Sequence, residues 1–192
     1  LTPDGHMHPR IYKNIVTLNC RLERYDWSLD FIQENAGYLS GPDREMLPLY
    51  CRGLVHFYSG DHRKSIGIFR EVMQLDHKDE FWGFESRNLL LKSFFHDYDR
   101  LSIPEVEEMH KLVDSFRMYV QRNARLSTFH QKSYQNFIRY FNILLKLKAA
   151  PSVTNSRLQT LTSEIEQLQF ITHKNWLRAA LAEKNWPHIT SK

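Results

Sequence analysis

Between Glu105 and Ala150 the sequence runs without a single glycine or proline, while its apolar residues recur at helical spacing. Sandwiches and barrels need turn residues every ten or so positions, so a stretch of this length can only be helix, connector and helix again. With seven glycines and seven prolines in 192 residues, the rest of the chain is punctuated almost as sparsely. An all-α protein is expected, and 42% hydrophobic residues are enough for a substantial core.

Apolar runs stay short of the roughly 18 residues of a membrane span, and the start lacks the apolar segment of a secretory signal. A soluble cytoplasmic protein without membrane association follows as the expectation. Cys20 and Cys51 each fall inside an apolar helical pattern and lack zinc-site spacing, so they read as reduced, packed thiols. Gly5-His6-Met7 resembles a cloning scar, and residues 1–7 read as a vector-derived or disordered leader. His6 and His8 are accordingly not read as metal ligands.

About nine helices are expected, arranged as antiparallel pairs. Ile11, Ile15, Leu18 and Leu22 form one apolar row, and Leu29, Ile32, Ala36 and Leu39 form another after the Tyr25-Asp26 break. Past Ser40-Gly41-Pro42-Asp43 comes a second pair, roughly 44–59 and 62–75, with Asp61 placed to cap its second helix. A helix over about 79–98 carries Phe81, Phe84, Leu89, Leu90, Phe94 and Phe95. Ser102-Ile103-Pro104-Glu105 has capping-box form and opens a helix buried through Val106, Met109, Val113, Phe116 and Val120. Ser127 caps the next, with inner residues Tyr134, Phe137, Ile138, Phe141, Leu144 and Leu145. Shorter helices near 157–169 and 173–185 complete the set; Trp176, Leu177, Ala180 and Leu181 face inward and Pro187 ends the last.

Tyr25-Asp26, Gly60-Asp61 and Tyr98-Asp99 mark turns spaced by about 35 to 38 residues, a period typical of helical solenoids. The stretch 44–77 resembles a tetratricopeptide repeat: Gly53 stands where the first helix lets its neighbour approach, Gly60-Asp61 at the turn, Ser65 at a small-residue position, Phe69 at the large aromatic one and Leu75-Asp76 at the exit. Val72, His77 and Leu49 depart from the residues common there. The units around Tyr25 and Tyr98 share the helix-turn-helix layout, and the tail beyond Arg122 resembles that of uncharacterised bacterial proteins with degenerate repeats of this kind. The resemblance implies a stacked α-α solenoid over 8–125, with 126–192 as a helical extension or cap on the same array. It also implies a concave surface that binds a protein or peptide. Polar residues of the first helices, Asn14, Asn19, Arg52, His56, Arg87 and Lys92, are the candidate contacts.

No residue set demands catalysis. Glu107-x-x-His110 would place two ligands on one helix face, as in carboxylate-bridged bundles, yet the second Glu-x-x-His that such a site needs is missing. His96-Asp97-Tyr98-Asp99 lies at a helix end, where a histidine complements the dipole. Phosphate-binding loops, HExxH, GxSxG and redox CxxC motifs are absent, so no catalytic residue, cofactor or metal is expected.

Charge is distributed unevenly. From Ser115 to Ser163 there is no Asp or Glu, although Arg117, Arg122, Arg125, Lys132, Arg139, Lys146, Lys148 and Arg157 all fall there. Lys132, Arg139 and Lys146 recur every seven residues, with Gln135 and Asn142 between them, and with Arg125 they make a basic stripe. Two readings stand: contact with nucleic-acid phosphates, or a solvated or protein-binding face. The first expectation is a non-enzymatic interaction scaffold, the alternative a nucleic-acid-associated helical protein, with the oligomeric state open.

Overall fold

A computed structural model describes residues 5–41, 43–75, 80–183, 186 and 189–190. Pro42, Asp76, His77, Pro187 and positions 1–4 of the expected leader lie outside the described residues. The chain is all-helical, with nine α-helices among the described residues and two two-residue strands. It divides into two compact units, residues 1–103 and 104–192. That division precedes the expected boundary at 125/126 by one helix.

In the first unit, α1 (Pro9–Arg21) and α2 (Tyr25–Asn35) form a hairpin, followed by a short 3-10 turn. The helices α3 (Asp43–Tyr58), α4 (His62–Gln74) and α5 (Glu80–His96) complete it. Long-range contacts set the directions. Tyr12, early in α1, donates its hydroxyl to the carbonyl of Ile32, late in α2 (2.8 Å). Tyr25 at the start of α2 donates to the carbonyl of Tyr58 at the end of α3 (3.0 Å). His62 opens α4 and stacks on His96, which ends α5, with ring centres 4.6 Å apart. Thus α2 and α4 run against α1, α3 and α5.

The α3–α4 hairpin is built on a close approach. A Cβ placed on Gly53 would lie 3.0 Å from Phe69 Cζ and 3.1 Å from Ile68 Cγ2, so a larger residue has to push these side chains aside. Gly60 takes φ +81°, the left-handed conformation that ends α3 at little cost only for glycine. Asp61 then accepts the Lys64 backbone N–H (3.3 Å) and caps α4, as expected. Ser65 is fully buried, its hydroxyl 3.2 Å from the Gly53 carbonyl and 2.9 Å from the Ser93 hydroxyl of α5.

In α1 the core residues are Tyr12, Val16 and Cys20, whereas Ile11, Leu18 and Leu22 of the apolar row read from the sequence are 55%, 59% and 56% exposed. Both rows are apolar, and the neighbouring helices cover only one. Both cysteines are buried free thiols, and burial raises their pKa.

In the second unit, α6 (Ile103–Arg122), α7 (Thr128–Lys148), α8 (Asn155–Gln167) and α9 (Lys174–Ala182) follow one another. Met109, Val113, Phe116 and Val120 of α6 are buried as expected. Ser127 caps α7 by accepting the His130 N–H. The α7 core residues Phe137 and Phe141 meet Trp176 of α9, and the Phe141 and Trp176 rings stack 5.8 Å apart. Strand β1 (Val153–Thr154) pairs in parallel with β2 (Ile189–Thr190).

Replacing Gly53 by valine is expected to cost about 2 kcal/mol or more, because the gain in helix propensity is smaller than the cost of overpacking against fully buried Phe69. Urea unfolding of Gly53→Val against wild type measures it.

Candidate interaction surfaces

A helix shows its faces as rows of residues spaced by three and four. On α3 the row Glu45, Leu49, Arg52 and His56 is exposed or half-exposed, while Met46, Leu47, Tyr50, Cys51, Leu54 and Val55 are buried. Arg52 and His56 therefore share a face. Burial pulls the His56 imidazole below its ordinary pKa, against the opposing pull of Asp61, 3.8 Å away.

The other expected contacts do not come together in the same way. Asn14 is exposed on the α1 row Arg10, Asn14, Thr17 and Arg21, directly across the helix from Tyr12. Asn19 is five residues on, faces another way, and donates its amide to the Ile15 carbonyl (2.9 Å). Arg87 donates to the Gly83 carbonyl of its own helix (2.8 Å). Lys92 is 5% exposed and so offers little to a partner.

Lys92 belongs instead to a polar row within α5, on which Glu85, Asn88 and Lys92 recur at helical spacing. Burial brings the Lys92 amine down to about 7, with Glu85 opposing the shift. Burial likewise pushes the Glu85 carboxyl up, against the pull of Lys92 and Lys13. The Asn88 amide is fully buried, and neither its oxygen nor its nitrogen is hydrogen-bonded among the described residues. Such a group costs about 1–3 kcal/mol. Sequence reasoning passed over Glu85 and Asn88 because the same helix carries so many apolar residues; the signal available was their spacing from Lys92.

The two histidine pairs are accounted for. Glu107 and His110 are both exposed, with Glu107 3.9 Å from Lys111. Asp97, 4% exposed, binds Arg63 (2.8 Å) while His96 stacks on His62. No group of three or more metal-ligating side chains occurs among the described residues.

In the second unit, Arg125, Lys132, Arg139 and Lys146 are all exposed, and the last three lie along one face of α7 with Gln135. Arg139 also sits over the Tyr140 ring (5.5 Å). Lys148, one of the basic residues of this region, is buried instead, beside Glu183 (3.9 Å) and over Trp186 (5.2 Å). An open cleft of about 990 Å³ between α8 and α9 is lined by Leu158, Gln159, Thr162, Arg178 and Glu183 among others. Its Arg178 is held by Glu166 (2.6 Å).

No helix among the described residues is long and apolar enough to cross a membrane. Comparison with protein-family models, curated proteins and solved structures yields no match.

The Lys92 amine carries a stability signature. The unfolded amine titrates near 10.4 and the folded one near 7, so between these values the unfolded chain holds the extra proton. Stability then rises with pH across that window, by at most about 1.4 kcal/mol per pH unit. Because the raised pKa values of buried Cys20 and Cys51 oppose this at alkaline pH, the difference is the readout: the urea midpoint of Lys92→Met is expected to exceed that of wild type most at pH 7.5 and by progressively less up to pH 9.5.

Proposed function

We propose that the protein is a non-enzymatic interaction scaffold, cytoplasmic, in which tetratricopeptide-like helix pairs stack and bind a protein or peptide on a concave face. The observation that carries this reading is the exposed or half-exposed row Glu45, Leu49, Arg52 and His56 on α3, with Asn14 exposed on α1. The Gly53–Phe69 approach and the buried Ser65 support the repeat assignment, because they put small and large residues where stacked pairs need them. With Arg52 exposed on that row, the ligand in this reading is an extended segment carrying acidic residues.

The test is a displayed peptide library, followed by anisotropy titration of the selected sequences. Acidic peptides are expected to bind, with at least about tenfold loss for Arg52→Glu combined with His56→Ala. A Lys132→Glu, Arg139→Glu, Lys146→Glu variant should bind them as wild type does. No selected peptide, or affinity indifferent to Arg52 and His56, would sink the reading.

A second reading rests on the exposed α7 row. If Lys132, Arg139 and Lys146 contact nucleic-acid backbone, oligonucleotide affinity should fall by about 0.9 log units per tenfold salt for each duplex phosphate neutralised. The triple variant should abolish that binding. Such a result moves the function to the second unit.

A further inference from the structure

Of the eight large hydrophobic residues that stand exposed among those described, five lie between Ile11 and Tyr38. They are Ile11 and Leu18 of α1, Leu22 at its C-cap, Trp27 of α2 and Tyr38 just after it, with exposures from 45% to 59%. Concentration in one hairpin separates them from the scattered apolar residues of any protein surface.

The rows around these residues define a patterned face. Along α1 the apolar row Ile11, Ile15, Leu18, Leu22, half-buried at Ile15 and exposed at the others, lies between the buried row Tyr12, Val16, Cys20 and the row Arg10, Asn14, Thr17, Arg21. On α2 the aromatic row Trp27 and Phe31 lies between the buried Ser28 and Ile32 and the exposed acids Asp26, Asp30 and Glu34. Contacts between the helices bring the rows to the same side. Tyr12 donates its hydroxyl to the Ile32 carbonyl and meets Phe31 with ring centres 5.3 Å apart. One step outward from that seam come Ile15, Ile11 and Leu18 on α1 and Trp27, stacked on Phe31 (5.3 Å), on α2. Across the face the order is therefore basic row, apolar stripe, aromatic row, acidic row. The helix α1 itself contains no acidic residue.

We infer that this face binds a second copy of the chain, forming a two-fold dimer through the α1–α2 edge. A face that is basic on one side and acidic on the other, with an apolar middle, is complementary to itself. A two-fold axis running along α1 exchanges the sides and sets each basic row against the acidic row of the other copy. The heights also agree: α2 runs against α1, so Glu34 lies level with the start of α1 and Asp26 with its end. Arg10 then meets Glu34 of the second copy, and Arg21 meets Asp26 of the second copy. A partner carrying a single sign of charge would match only one side. At roughly half exposure, Ile11, Leu18, Leu22 and Trp27 leave on the order of 450 Å² of surface per copy, and with the charged rows two copies reach the approximately 1,200 Å² at which specific interfaces begin. The apolar stripe and the acidic row of α2 do not enter the peptide-binding reading, which rests on the α3 row, so Leu18→Glu and Asp26→Lys with Glu34→Lys separate the two.

Sedimentation of the full chain from low micromolar to a few hundred micromolar concentration tests it, with far-UV circular dichroism to verify folding. A reversible dimer is expected, abolished by Leu18→Glu, an exposed position whose change leaves the core intact. Arg10→Glu with Arg21→Glu should weaken the dimer by about tenfold, as should Asp26→Lys with Glu34→Lys, since each removes the exposed pairs on both sides of the axis. All four changes together should restore affinity to near wild type, which a merely adhesive apolar patch would not do. A wild-type monomer throughout, a dimer indifferent to Leu18→Glu, or no restoration in the fourfold variant overturns the inference. A monomer that instead binds an amphipathic helical peptide assigns the stripe to a different protein and likewise overturns it.

Discussion

The first unit depends on the contact between Gly53 and Phe69. The missing side chain at Gly53 lets the Phe69 ring sit against α3, and that distance sets where Ser65 falls: buried, within hydrogen-bond range of both the Gly53 carbonyl and Ser93 of α5. Interiors are packed to crystal density, so such an approach acts as a spacer that neighbouring helices must accept. With α4 fixed between α3 and α5, the His62–His96 stack and the Arg63–Asp97 pair close the far end of the same seam. Remaining polar rows are then either outside, as on α1 and α3, or trapped inside, as on α5.

The trapped and exposed rows differ in what they do energetically. Glu85, Asn88 and Lys92 lower stability in return for no packing that an apolar residue would not supply better, and burial shifts the two ionisable members toward their neutral forms. The exposed apolar row on α1 is the opposite case. It costs nothing within the monomer and leaves hydrophobic area in water that association can recover. Among the described residues of the second unit the α7 stripe is exposed, while Lys148 is buried with Glu183 and the Trp186 ring beside it.

Much of the architecture was legible because it is written in local chemistry. The α3–α4 turn is marked by Gly60 and Asp61, the start of α7 by Ser127, and the inner faces of α6 and α7 by rows that are apolar on one side only. Where a helix has a single apolar face, burial follows from the pattern. The candidate contacts were less legible, because a polar residue in a first helix carries no mark of which way it points. Asn14 and Asn19, or Arg87 and Lys92, are five residues apart and cannot share a face, whereas Arg52 and His56, four apart, do.

By itself the sequence determined the helical class, the ends of several helices and the basic stripe of the second unit, since each depends on residues near one another in the chain. Only the tertiary structure decided which of two apolar rows on α1 is core, and that Lys92 is buried rather than presented to solvent. Both outcomes turn on which neighbouring helix lies against a given row. Helix α1 has an apolar arc wider than its neighbours cover, and α5 has apolar residues on all sides, so periodicity along the chain holds no information about which face is closed.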